Sequence, residues 1–294
     1  VSRERSAAAL APAKVNLVLD VLGRRADGYH EIDTRMVALA LADVLHVRTS
    51  PEPGVRLALR GPAASPDVPT DRNNVAVRAA ELVLAAARAD DGLELELCKN
   101  VPSRAGLGGA SADAAAAVVA CQAVLGCQWP HERTLALLAE LGSDTVFFAA
   151  ASSTGHGRAR GRGELVEVLP ALPREWLVLV VPDVGCPTPA VYAAHARSAA
   201  PSRATHERPN ALEPAALVAV PALVPWRAAL DARFHLSGSG SAFFARCSGR
   251  AAAESVLAGV RGVLAHRGLA PALAAVTATA DAAARLLHVQ GGAR

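Results

Sequence analysis

Aromatic side chains are scarce: Phe, Trp and Tyr make up 3% of the 294 residues. Hydrophobic residues reach 52%, so a core can form, built mainly from small aliphatic side chains. Lysine is scarcer still. Lys14 and Lys99 are the only two, and arginine supplies the other positive charge. The net charge of +3 is too balanced for a general nucleic-acid binder, which carries a clustered basic face. It leaves room for a local basic cleft that takes an anionic small molecule. The five cysteines (Cys98, Cys121, Cys127, Cys186, Cys247) are scattered and contain no C-x-x-C pair. That sets aside a disulfide framework and a zinc site and leaves reduced thiols. No apolar run approaches a membrane span; the most apolar late stretch, Ala211 to Trp226, is broken by Pro214, Pro221 and Pro225. Val1 to Ser6 is polar and holds no hydrophobic signal core, so a cytoplasmic protein is expected, without membrane or nucleic-acid partners.

What the chain does have is a glycine loop, Pro102-Ser-Arg-Ala-Gly-Leu-Gly-Gly-Ala-Ser-Ala-Asp113, between a strand-like run and an Ala-rich helical run. Backbone N–H groups of such a loop converge on a phosphate, and the helix dipole adds about half a positive charge. No lysine followed by Ser or Thr is present, so this is not a Walker A loop. The signatures of protein kinases are missing as well.

Strands are expected at Ala13 to Leu22, Val37 to Arg48, Val55 to Arg60, Leu93 to Leu97 and Trp176 to Val181. Asn73 or Asn74 caps a helix to about Ala89, and further helices run to Leu125 and from His131 to Leu141. Gly155 to Gly163 reads as a Gly/Arg-rich connector. His235 to Ala245 reads as a strand and glycine turn leading into a helix that ends near His266. The elements interleave without a βαβ rhythm, which favours α+β. A domain boundary is placed near Pro170, giving units 1–170 and 171–294.

Four segments in this order, Pro12-Ala-Lys-Val-Asn-Leu17, the glycine loop, Gly142-Ser-Asp144 and Ser237-Gly-Ser-Gly240, resemble the GHMP small-molecule kinases. Gly23-Arg-Arg-Ala-Asp-Gly-Tyr-His-Glu31 is similar to the segment of those members whose acceptor is a cytidylated methylerythritol, an isoprenoid precursor. The resemblance implies an N-terminal domain like domain 2 of ribosomal protein S5 and a ferredoxin-like C-terminal domain. It also implies Mg²⁺ and ATP, whose γ-phosphoryl group moves to a tertiary hydroxyl of the acceptor in the cleft between the domains.

Asp144 is the candidate base, because a hydroxyl attacks phosphorus only when its proton has somewhere to go. Its local context also suits a residue that merely opens another element. Lys14, costly in an apolar strand unless paired, is the candidate partner of ionised Asp144. Asn16 shares its strand face, and the resemblance assigns it to the substrate. By the same resemblance Tyr29 and His30 bind cytosine, Thr188 touches the sugar-like end, and Tyr192 is a second stacking aromatic. The ATP segment is Pro102, Arg104, Ala105, Gly106, Leu107, Gly108, Gly109, Ala110 and Ser111, with Ser111 able to meet a phosphate or Mg²⁺ or to cap the helix. Ser237 to Ser241 either closes the cleft or makes a tight strand–helix turn. The Arg158, Arg160, Arg162 run reads either as a solvated loop or as a reach for phosphate oxygens.

The family usually has glycine at Arg104 and Ala110, serine at Ala112, and Val-Pro where this chain has Thr145-Val146. A positive φ at Ala110 would be strained. Two other readings stay open: a GHMP kinase with another acceptor, and a nucleotide-binding protein without turnover.

Overall fold

The computed structural model describes residues 5–198 and 202–290; the polar start at residues 1–4 lies outside them. Two long strands, β1 (Ser6–Arg24) and β2 (His30–Ser50), pair antiparallel around the turn expected at Gly23 to Gly28. Both are longer than the hydrophobic pattern suggested. Alanine has little strand preference of its own, but Ser6–Leu10 is flanked by partners on both sides. Next come β3 (Val55–Arg60), α1 (Val75–Ala87) and β4 (Gly92–Cys98), with β3 parallel to β4 and α1 as the crossover. Asn74 caps α1, its side chain accepting from the Ala76 N–H at 2.9 Å.

Helices α2 (Gly109–Leu125), α3 (His131–Leu141) and α4 (Ser143–Ala150) then cover one face of the sheet. Ala114 to Ala117 of α2 are fully buried, and their small side chains let the helix lie close to the strands. The Gly/Arg-rich stretch is not a connector. It forms β5 (His156–Gly161), which pairs with β2 and with β6 (Leu165–Val168). Glycine and arginine obscured a period-2 pattern in which Ala159 is buried and Arg160 faces solvent.

The second sheet is antiparallel, in the order β10 (Pro271–Ala278), β7 (Trp176–Pro182), β9 (Phe243–Cys247), β8 (His235–Leu236). Helix α5 (Thr188–Arg197) follows β7, and α8 (Arg250–His266) follows β9. The Ser237–Ser241 turn joins two strands rather than a strand and a helix. The proline-broken stretch folds as α6 (Glu213–Ala219), a single 3₁₀ turn and α7 (Val224–Ala229). Pro214, Pro221 and Pro225 each sit in a first turn, where a missing N–H is harmless. The expected unit 171–294 needs one correction: β11 (Arg285–Gln290) returns to the first sheet and fills the edge beside β1. The two sheets share a core of Ala13, Val15, Val37 and Leu39 against Leu177, Leu179 and Phe244. No helix among the described residues is long and apolar enough to cross a membrane.

Pairing between β1 and β2 is irregular from Pro12 to Lys14. Before it, Ala7, Ala9 and Ala11 face the helices; after it, Ala13 and Val15 face the second sheet. The irregularity therefore turns Lys14 and Asn16 to the helical side, where the glycine loop begins.

Candidate active site

A cleft of about 1150 Å³ opens where the glycine loop, β1, α4 and α5 meet. Positive φ in the loop falls on Arg104 (54°), Gly106 (73°) and Gly108 (71°). Ala110 is already inside α2, so the expected strain there does not arise; Arg104 takes the left-handed conformation instead. No side chain caps α2, which leaves first-turn amides of Gly109, Ala110 and Ser111 directed to the cleft end of the helix. The glycines also admit neighbours. A Cβ on Gly106 would stand 2.1 Å from the Ser237 carbonyl oxygen, and one on Gly108 would stand 2.9 Å from Lys14 Cγ. The Lys14 N–H donates to the Leu107 carbonyl at 2.8 Å, and the Ala242 N–H to the Ala105 carbonyl at 2.9 Å. Ser237 Oγ donates to the Gly106 carbonyl at 3.0 Å. The loop is thus fixed by β1 on one side and by the Ser237–Ser241 turn on the other.

Lys14 is buried, and its Nζ lies 3.3 Å from Asp144 Oδ2 and 2.6 Å from Asn16 Oδ1. Asn16 Nδ2 donates to Thr34 Oγ1 at 2.8 Å, and that hydroxyl donates to the Val18 carbonyl at 2.7 Å. The chain of bonds leaves Asn16 Oδ1 facing the ammonium and fixes both side chains. Asp144 sits in the first turn of α4, and its side chain is 34% exposed in the cleft. The residue therefore does open an element, and it also presents a carboxylate beside a cation at the positive end of a helix. Such a carboxylate can accept a proton from a bound hydroxyl.

Tyr29, His30, Thr188 and Tyr192 line the same cleft. The His30 and Tyr192 rings are 4.9 Å apart, tilted by 31°. His30 Nε2 is buried with no hydrogen-bond partner. Burial, with His195 and Arg24 nearby, holds the imidazole below the ordinary histidine range, so it is neutral near pH 7. A neutral ring with an open nitrogen suits a heterocycle edge. Burial raises the Tyr192 phenol, so it stays protonated. Tyr29 is exposed, and the Arg162 guanidinium lies 5.0 Å from its ring centroid. Arg162 is therefore part of the cleft wall, whereas Arg158 pairs with Asp33 on the sheet surface. Thr188 Oγ1 is 2.9 Å from Ser239 Oγ, joining α5 to the glycine turn.

Sequence reasoning gave Lys99 no role. It is buried between Asp43, which it contacts closely, and Asp113, whose Oδ2 is 2.8 Å away. Asp43 also accepts from the Val101 N–H at 2.8 Å. The three side chains tie the strand before the loop to the helix after it. Burial, with Asp43 adding to it, pushes the Asp113 carboxyl up to about 8, and its Oδ1 has no hydrogen-bond partner. A signal was available: one of only two lysines stands three residues before the loop. No group of three His, Cys, Asp or Glu suited to a metal exists among the described residues. Ser111 Oγ is unbonded among them and lines the cleft.

Residues 74–152 match the family model "GHMP kinases N terminal domain". The chain is 34% identical to a 4-diphosphocytidyl-2-C-methyl-D-erythritol kinase from Polaromonas sp., covering 80% of this chain and 81% of that one. It is 43% identical to the like-named protein of Heliobacterium modesticaldum over 70% of this chain. That match spans 63% of the Heliobacterium protein, under two thirds of its length. A crystal structure of 4-(cytidine 5'-diphospho)-2C-methyl-D-erythritol kinase superposes with TM-score 0.69 and 33% identity, covering 97% of this chain and 100% of that one. Homoserine kinase from Cytophaga hutchinsonii, at 19% identity and TM-score 0.72 over 96% of this chain and 97% of that one, shares the fold. The chain belongs to the 4-diphosphocytidyl-2-C-methyl-D-erythritol kinase family of the GHMP kinases.

Proposed function

We propose that this protein transfers the γ-phosphoryl group of ATP to the tertiary hydroxyl of 4-diphosphocytidyl-2-C-methyl-D-erythritol. The observation that carries the reading is the Lys14–Asp144 pair, which opens on the same cleft as the uncapped start of α2. Asp144 accepts the hydroxyl proton as the oxygen approaches phosphorus. Lys14 faces that carboxylate at 3.3 Å and orients the hydroxyl, and Asn16 holds Lys14 in place. Amides from Gly106 to Ser111 hold the nucleotide phosphates, so alignment and charge neutralisation do most of the work. Mg²⁺, when bound with ATP, would neutralise phosphate charge, and the unbonded Ser111 hydroxyl would be its protein ligand.

The acceptor's cytosine lies against Tyr29 and Tyr192, with the open His30 nitrogen on its edge. Thr188 stands at the end nearer the methylerythritol. The test is phosphorus NMR of the protein with Mg-ATP and the cytidylated acceptor. The expected result is a new phosphomonoester resonance that grows as ADP forms. ATP loss only with acceptors that lack cytidine would contradict the substrate assignment.

A further inference from the structure

Arg104 is the only charged residue between Pro102 and Ser111, and the reaction just described leaves it unused. It is exposed, lines the cleft, and its side chain makes no ion pair or hydrogen bond among the described residues. The cleft's two lysines differ: Lys14 is held by Asp144, and Lys99 by Asp43 and Asp113. Arg104 also occupies a backbone position of φ 54°, where glycine is the unstrained residue. The resemblance leads one to expect glycine there. A guanidinium is thus retained in the loop against the local backbone preference.

The side chain is directed by its neighbours. The Arg104 carbonyl accepts from the Cys186 N–H at 3.4 Å. Its stem lies over Gly185, where a Cβ would meet Arg104 Cδ at 3.7 Å and Cβ at 3.8 Å. Gly185 belongs to the connection from β7 to α5, which leads into Thr188. The stem is therefore held at the seam between the glycine loop and the wall that carries Thr188 and Tyr192, and the guanidinium at its end lines the cleft. An unpaired planar fork lining the same cleft as the free amides of Gly109 to Ser111 matches paired phosphate oxygens.

We infer that Arg104 is a phosphate-binding residue of this chain's own, gripping non-bridging oxygens of a diphosphate group at the seam. This deepens the proposed kinase reading and rests on it. The diphosphate is that of ATP or that of the cytidylated acceptor, and kinetics separate the two.

Arg104→Gly deletes the charge while relieving the positive φ, and Arg104→Lys keeps a point charge without the fork. Inorganic pyrophosphate is titrated calorimetrically into all three proteins at two salt concentrations. The expected result is an Arg104→Gly protein that melts no lower than the original, binds pyrophosphate about ten- to a hundredfold more weakly, and shows a shallower salt dependence. Arg104→Lys recovers part of the affinity. A larger rise in KM for ATP than for the acceptor assigns the grip to the nucleotide, and the reverse assigns it to the acceptor. Unchanged pyrophosphate affinity in Arg104→Gly, undetectable binding by the original protein, or turnover with neither KM raised overturns the inference. Absence of turnover in the original protein would count against the kinase reading instead, and the pyrophosphate titration would still decide Arg104.

Discussion

Lys14 Nζ stands 3.3 Å from Asp144 Oδ2, joining an early strand to the first turn of α4. Lys14 is 3% exposed, and its other near partner is the neutral Asn16 amide. Lys14→Met therefore removes the cation that faces the candidate base. It is expected to lower kcat by about 10²-fold or more, as loss of a preorganised charge does, with a smaller change in KM for ATP. Steady-state kinetics check this, and a kcat within twofold of the original would remove Lys14 from the chemistry.

Tyr192 contacts His30 at 4.9 Å between ring centroids and lines the cleft. Tyr192→Ala and Tyr29→Ala are each expected to raise KM for the cytidylated acceptor by about 5- to 100-fold, the range for lost base stacking. KM for ATP should change little. If ATP is the substrate affected, the cytosine assignment is wrong.

Gly106 has φ 73°, and a Cβ there would stand 2.1 Å from the Ser237 carbonyl oxygen. Gly106→Ala must push the loop away from the Ser237–Ser241 turn. It is expected to lower stability by about 1–3 kcal/mol and to weaken ATP binding, read by thermal melting with and without Mg-ATP. An unaltered melting temperature would mean that the loop and the turn are not locked together.

Asp113, pushed up to about 8 by burial, keeps its proton in the native state where the unfolded chain has lost it. Between pH 4 and pH 8, roughly, the native protein binds the extra proton, so this contribution to stability falls as pH rises and levels off above the native value. Asp113→Asn cannot titrate. Its stability relative to the original protein should therefore rise with pH across that window, by on the order of 1 kcal/mol per unit. Parallel pH–stability curves from denaturant melts would show that Asp113 is ionised in the fold.

Much of the candidate site's layout was legible because it rests on short local patterns. Lys14 and Asn16 share a face by strand parity, and Gly142 marks the break before Asp144. The four ordered segments pointed to the family. What stayed hidden depends on contacts remote in sequence. The role of Lys99 required Asp43 and Asp113 to close around it. Strand β5 was missed because Gly157, Arg158 and Arg160 have no apolar alternation, and β2 and β6 define it. The return of β11 to β1 follows from an open sheet edge that no local pattern reports. Positive φ at Arg104 rather than Ala110 depends on where α2 begins, one turn earlier than a cap-based reading suggests.

The central claim is that Asp144 takes the proton from the acceptor hydroxyl beside Lys14. Its most direct test is the single-turnover rate of phosphoryl transfer from Mg-ATP to the cytidylated acceptor in Asp144→Asn. That variant keeps the size and polarity of the side chain but cannot hold the proton. A fall of about 10²–10⁴-fold, with both substrates still bound, is expected; transfer at the original rate would contradict the account.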